Sequence, residues 1–300
     1  MTAAGSPAVT TNVGRPVLGG RRFSADWIGT APFFVYVFLF LVLPSIIVGV
    51  GSFFDANNSL TLDNYIHLSR SFIAKATFQT TAMAAVTAVT GAVLGALLAY
   101  AIALGNPQGV LRRLLISASG VLAQFGGVTL AFAFIASIGP ASFVYLFAQA
   151  HGFDYYARGV WLFELPGLAL VYLYFQIPLM VLVFLPALDG IKPQWREATE
   201  SLGGGTWDYW RYVAGPLLFP AFLGSTLLLF ANAFSAYATA NALINQGAPM
   251  LSQQISNALS SEVGAAEPGF AKAIAVEMIV IVTLVTILYS LLQRRTAKWL

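Results

Sequence analysis

Charge is what this sequence has least of: only 9% of its 300 residues are Asp, Glu, Lys or Arg, while 58% are hydrophobic. A soluble domain normally carries about 25% charged residues, so a water-facing globular fold is excluded. Cysteine is absent, which removes disulfides, thiolate catalysis and cysteine-ligated metals. The two histidines, His67 and His151, stand apart with no HExxH pattern, and neither a metal site nor a cofactor is expected. No GxxxxGK[ST] phosphate loop occurs, so the chain does not hold ATP in the Walker manner. No Ser/His/Asp set and no pair of carboxylates lies within the apolar runs. Catalytic residues are therefore expected to be none, and the chain is not read as an enzyme. The formal charge of +3 is spread along the sequence and forms no basic face for nucleic acid.

What is present in quantity is apolar sequence in runs of bilayer length, ~20 residues each. Six are read, at 28–53, 77–104, 114–138, 166–185, 217–243 and 271–292, giving an all-α integral membrane protein. The stretch 139–165 is apolar enough to hold a short interfacial helix as well. Lys and Arg set the orientation. With the N-terminus inside, Arg15, Arg21, Arg22, Arg112, Arg113, Lys192, Arg196, Arg211, Arg294, Arg295 and Lys298 fall on the cytoplasmic side. Only Arg70, Lys75, Arg158 and Lys272 fall outside. Both termini and the 186–216 loop are thus expected in the cytoplasm. Residues 1–25 read as a disordered cytoplasmic tail, and 26–300 as one transmembrane domain. Pro44 and Pro178 are candidate kinks. Gly91 and Gly95 form a GxxxG step, suited either to packing within the chain or to a dimer seam. Asp55, Asp63, Asp154, Glu262 and Glu267 make the outer face mildly acidic, fit for a protein partner or for ordinary loop solvation.

The polar stretch 197–220 stands out against this background. Pro193 suits the first position of a helix. Trp195, Ala198, Thr199 and Leu202 then recur at helical spacing as one apolar edge. Glu197 and Glu200 lie off that edge near the helix N-terminus, where negative charge is favourable. Gly203, Gly204 and Gly205 close the helix. Thr206 is expected to cap a second helix over 207–214, which Pro216 ends. Such a pair docks onto a partner or, with its Trp and Tyr, lies on lipid headgroups.

The spacing of this stretch resembles the EAA signature of binding-protein-dependent ABC importer permeases: Glu-Ala-Ala, three residues, Gly, nine residues, an aliphatic, one residue, Leu-Pro. Glu197, Ala198 and Thr199 are followed after three residues by Gly203, and after nine more by Val213, Ala214, Gly215 and Pro216. Thr199 stands for the second alanine and Gly215 for the leucine. The resemblance implies a six-helix bundle of the type I ABC importer permease kind in the cytoplasmic (inner) membrane. Glu197, Ala198, Gly203, Val213 and Pro216 would then form the ATPase-docking surface. Its implied partners are separate ABC ATPase subunits, a second permease subunit (identical or homologous), an external solute-binding protein and the lipid bilayer. Residues 60–65 are similar to a short external motif of these permeases. The run 230–239 is similar to the polyamine, thiamine and iron branch more than to the sugar branch, which implies a polyamine-like solute first and a sugar second.

Polar groups at membrane depth face a cavity or a partner helix. Gln124, Tyr172, Gln176, Asn232, Ser235, Tyr237, Asn241 and Glu277 are the candidates for a solute pathway, with Glu277 a possible counter-charge for a cation. Two other classes compete. A stand-alone secondary transporter would show internal repeats with interrupted helices, and no repeat is found. A membrane scaffold would leave the polar residues of the fifth run without a role.

Overall fold

The computed structural model describes residues 26–55, 59–244, 250–260 and 267–296. The tail expected over 1–25, with Arg15, Arg21 and Arg22, lies outside the described residues, as do Glu262 and Lys298. Among the described residues there is no strand, only an isolated bridge between Phe54 and Leu60. The helices are α1 Asp26–Val37, α2 Leu43–Gly51, α3 Asp63–Ile66, α4 Ser71–Ala103, α5 Val110–Gln124, α6 Gly127–Ile138, α7 Phe143–Ala150, α8 Leu165–Asp189, α9 Pro193–Ser201, α10 Thr206–Tyr209, α11 Gly215–Ser235, α12 Ala238–Leu243, α13 Leu251–Leu259 and α14 Pro268–Thr296. Six stretches are long and apolar enough to cross a membrane: Gly29–Gly51, Ser71–Ala103, Gly127–Ala150, Leu165–Asp189, Thr206–Ser235 and Pro268–Gln293.

The chain falls into two compact units, Met1–Ile47 and Val48–Leu300. In the first, a π-turn at Phe38–Val42 follows α1, and the Leu43 N–H donates five residues back to the Phe38 carbonyl. A proline ring normally collides with the carbonyl four residues before it. Widening the turn relieves that collision for Pro44, so the helix passes through the proline instead of ending there.

The second unit is built around α4 and α8. From Ala84 to Ala99 the buried face of α4 is small: Ala84, Thr87, Ala88, Gly91, Ala92, Gly95 and Ala99. That of α8 is large, with Leu168, Val171, Tyr172, Phe175, Met180, Val181 and Phe184. Small residues at helical spacing let the backbones approach, and the large ones fill the space between them. A Cβ at Gly95 would stand 2.5 Å from the Met180 Cβ, and one at Gly91 would stand 2.9 Å from the Gln176 Oε1. The GxxxG step is therefore a seam within this chain, and α4 and α8 run parallel.

Other contacts fix the two ends of the bundle. Phe184 meets Phe222 at 5.9 Å between ring centroids, and the Tyr172 hydroxyl donates to the Ala236 carbonyl at 2.9 Å, so α11 runs antiparallel to α8. Arg112 pairs with Asp189, making α5 antiparallel as well. The Tyr289 hydroxyl donates to the Pro220 carbonyl at 3.3 Å. Residues 103–112, 189–220 and 289 thus share one end, and residues 71–80, 165, 236 and 268–277 the other. A short helix, α7, does occur within 139–165.

The third and fifth expected runs each contain a break. Helix α5 stops at Gln124 and α6 restarts at Gly127, which has φ +71, a left-handed conformation that glycine adopts without strain. Helix α11 stops at Ser235, and two residues, Ala236 and Tyr237, separate it from α12.

Candidate functional site

Two features converge on the α8–α11 region. The first is the loop after α8. Pro193 opens α9 as the sequence predicts. At its other end the Gly204 N–H donates to the Thr199 carbonyl (2.9 Å) and the Gly203 N–H to the Glu200 carbonyl (3.0 Å). Gly203 sits at φ +82 with nothing within 4 Å of a built Cβ. These are the two bonds and the left-handed glycine of a Schellman turn. The next helix starts at Thr206, not at 207, and Thr206 does not cap it: the Gly205 N–H donates to the Asp208 Oδ2 at 2.9 Å instead. A carboxylate at that position satisfies an orphan N–H and suits the positive end of the helix.

The second helix does not end at Pro216. Helix α10 passes through a π-turn, Trp210–Ala214, directly into α11. The Gly215 N–H donates to the Trp210 carbonyl, and a Cβ at Gly215 would lie 2.4 Å from that oxygen. Glycine at this position is what the widened turn requires, and the widened turn is what admits Pro216 to a continuous helix. Trp210 anchors the segment edge-to-face on Tyr100, 5.3 Å between centroids, beside an apolar cleft of about 450 Å³ that Gly215 also lines.

On the outer side of the loop Glu197 and Ala198 are exposed. Arg196 pairs with Glu200 at 3.0 Å, and the Glu197 carboxylate belongs to neither ion pair among the described residues. Leu202 is 89% exposed and Trp207 72%. The turn thus presents a carboxylate outside both ion pairs beside two exposed apolar side chains. Gly203 forms the turn between them, whereas Val213 and Pro216 are half-buried at its base.

The second feature is a polar cavity of about 360 Å³ where the two helix breaks meet. Gln124, Gly126 and Gly127 line it from the α5–α6 break, and Asn232, Ser235 and Tyr237 from the α11–α12 break. The breaks are stitched together: the Thr239 hydroxyl donates to the Gly127 carbonyl at 3.3 Å, and Tyr172 caps the Ala236 carbonyl. Ser235 donates back to the Ala231 carbonyl at 2.9 Å, and Tyr237 donates to Ser256 of α13 at 3.0 Å. The Gln124 and Asn232 amides have no partner among the described residues. The lining offers amides and hydroxyls and carries no carboxylate or cation.

Of the eight pathway candidates, Gln124, Asn232, Ser235 and Tyr237 come together here. Tyr172 and Gln176 are buried, with Gln176 donating to Thr87 at 3.2 Å across the α4–α8 seam. Asn241 is exposed on α12. Glu277 accepts from Thr77 at 2.7 Å, tying α14 to α4, and does not line the cavity. Sequence reasoning missed the two breaks, although Gly126 and Gly127 were a visible signal for the first. It also missed the Arg112–Asp189 pair, which joins residues 77 positions apart.

Residues 143–298 match the family model described as binding-protein-dependent transport system inner membrane component. No curated protein matches the chain significantly. Among solved structures it is similar to a bacterial ABC transporter involved in the import of the acidic polysaccharide alginate, with a TM-score of 0.74 at 17% identity over 91% of this chain and 97% of that one. The bacterial alginate transporter in complex with its alginate pentasaccharide-bound periplasmic protein gives 0.73 at 17% identity, over 91% and 96%. The MetNI methionine ABC transporter in an inward-facing conformation gives 0.56 at 16% identity, over 74% and 95%. At such identities the likeness establishes the fold, an all-helical membrane bundle.

Proposed function

The chain belongs to the family of binding-protein-dependent transport system inner membrane components, whose model spans just over half of it, and from that premise we propose how its two sites share the work of transport. It is the membrane permease component of an ABC importer, and ATP hydrolysis belongs to a separate subunit. Family membership sets aside the stand-alone secondary transporter and the scaffold.

The helix–turn–helix of α9 and α10 is the ATPase-docking surface, and the observation that carries this is its exposed, unpartnered face of Glu197, Ala198, Leu202 and Trp207 on a Schellman turn. A rigid turn running into α11 passes displacement to the bundle, whereas a slack loop would absorb it. The end of the bundle that bears this loop is the cytoplasmic one, in keeping with Arg112, Arg113, Lys192, Arg196 and Arg211 there. The permease pairs with a second permease subunit and receives solute from an external binding protein, a reading supported by the alginate neighbour, which is solved in complex with an alginate pentasaccharide-bound periplasmic protein.

The cavity at the helix breaks is the solute path through this subunit. Its unpartnered amides suit a small polar solute read by hydrogen bonds. A polyamine-like solute, expected from the 230–239 run, would need counter-charge, and the cavity lining holds no carboxylate: Glu277 lies elsewhere, beside Thr77.

The test is purification of the tagged permease in mild detergent, followed by mass spectrometry of what accompanies it. An ABC ATPase that copurifies with wild type and is lost with Glu197→Arg supports the docking surface. A well-folded permease that emerges alone in both cases would remove it.

A further inference from the structure

Each wall of the polar cavity has its own connection to the docking loop, and the two connections differ in kind. On one side α10 runs through the π-turn into α11 and so reaches Asn232 and Ser235 with no non-helical residue between. On the other side, Gln124 sits at the end of α5, which has no covalent link to the loop. Helix α9 joins α8 through the non-helical residues Gly190, Ile191 and Lys192. At this junction Asp189, the last residue of α8, pairs with Arg112 in the first turn of α5. The Arg112 side chain is 11% exposed and the Asp189 side chain 44%.

The helices also differ in stiffness. Pro178 and Pro186 interrupt the hydrogen-bond ladder of α8, the second only three residues before Asp189, and Pro220 interrupts that of α11. The 15 residues of α5 contain no proline. From Arg112 to Gln124 this helix spans about 18 Å by its rise per residue. Only Ser119 of α5 is buried, so it is the least packed of the three helices that run from the loop to the cavity. A stiff, lightly packed rod tied at one end to the last residue of α8, where the loop begins, and lining the cavity with the other is a lever.

We propose that Arg112 and Asp189 are positioning residues for transport: their ion pair carries displacement of the docking loop into α5 and so moves Gln124 at the solute path. Neither residue touches the solute or forms part of the docking face. The proposal rests on the docking reading of α9 and α10.

The absence of cysteine makes the test direct, because Ser235→Cys places a single thiol in the cavity wall. The permease–ATPase complex is reconstituted in nanodiscs, and the rate of maleimide labelling is compared without nucleotide and after trapping with ATP and vanadate. In the Ser235→Cys complex we expect the two rates to differ about tenfold, which corresponds to ~1.4 kcal/mol in the access equilibrium. Adding Arg112→Gln brings that ratio close to one while the ATPase still copurifies. The swapped pair, Arg112→Asp with Asp189→Arg, restores it, a rescue that a general loss of stability would not allow.

A ratio unchanged by Arg112→Gln overturns the proposal. So does loss of the ATPase from Arg112→Gln, which would make the pair a support of the docking face. So does failure of the swapped pair to rescue. If no ATPase accompanies the complex before Arg112 is altered, the docking reading itself fails, and this proposal with it. If the ATPase is bound but the Ser235→Cys rates do not respond to nucleotide, docking stands and the cavity and its lever fall.

Discussion

Gly203→Ala is the smallest change that tests the docking turn. The left-handed conformation at φ +82 costs a residue with a Cβ ~1–2 kcal/mol. No steric collision adds to that cost, because nothing lies within 4 Å of the added atom. Nothing packed over the turn holds it closed either, so strain at Gly203 relaxes by opening the two Schellman bonds of the free loop. Full relaxation makes the ATPase restore the closed turn on binding and weakens docking by a factor of about 5–30. Gly203→Asn falls between glycine and alanine, since asparagine tolerates this region better than other L-residues. The assay is equilibrium binding of the purified ATPase to the permease in nanodiscs, with thermal stability recorded beside it. The expected order of affinity is Gly, Asn, Ala, at near-constant midpoint of unfolding. Equal affinities for all three, or asparagine weaker than alanine, would refute the argument from backbone conformation.

Glu197→Arg removes a carboxylate with no ion-pair partner among the described residues; stability should stay within ~0.5 kcal/mol of wild type while ATPase copurification is lost, both read from one detergent preparation. Gly95→Ala should cost ~1–3 kcal/mol by overpacking, because its Cβ would meet Met180 and the Ile177 carbonyl at 2.5 and 2.7 Å. Gly91→Ala should cost less, since its contacts, 2.9 Å to the Gln176 Oε1 and 3.0 Å to the Gln176 Cβ, are wider than those at Gly95, and Gly120→Ala, with open space around it, should gain up to ~1 kcal/mol in helix propensity. Thermal melts of the three variants check that order, and a destabilised Gly120→Ala would break it. Thr77→Val strips Glu277 of its donor and should cost ~1–3 kcal/mol, whereas Glu277→Gln can still accept from Thr77 and should leave both the melt and uptake near wild type. A selective loss of cation uptake in Glu277→Gln would return that carboxylate to the solute path.

How far the sequence led depended on what kind of signal each element sends. The membrane runs were legible because hydropathy integrates over a whole span, except the third: expected over 114–138, its span is Gly127–Ala150, beyond the break and through α7. Helix α9 was legible because Pro193 and Gly203 are conformational signals that act locally. The continuation of α10 into α11 was not, because Pro216 usually reads as a stop and the π-turn that admits it depends on Gly215 five residues after the Trp210 carbonyl. The breaks in the third and fifth runs were hidden for the opposite reason: a hydropathy window sees composition and is blind to φ. Glu277 illustrates a third limit. Its presence within a span announced that it needed a partner, yet nothing in the chain order pointed to Thr77, 200 residues away.

The two breaks also decide what the polar residues of the membrane region do. Interrupting a helix in a bilayer frees backbone carbonyls, and each must be covered by protein or face water. Tyr172 covers Ala236 and Thr239 covers Gly127, so these two side chains are consumed in holding the break open and shaped. Ser235 turns back onto its own helix and Tyr237 braces α13. Once these are counted, the amides of Gln124 and Asn232 are what remains uncommitted, one on each wall. An amide carries both donor and acceptor; Gln124 is exposed and Asn232 half-buried, so both can give those hydrogen bonds to water or to a solute. That remainder is the reason to read the cavity as a path: the structural work of the break is done by its neighbours, and the groups left over are those that would meet a polar solute on its way through.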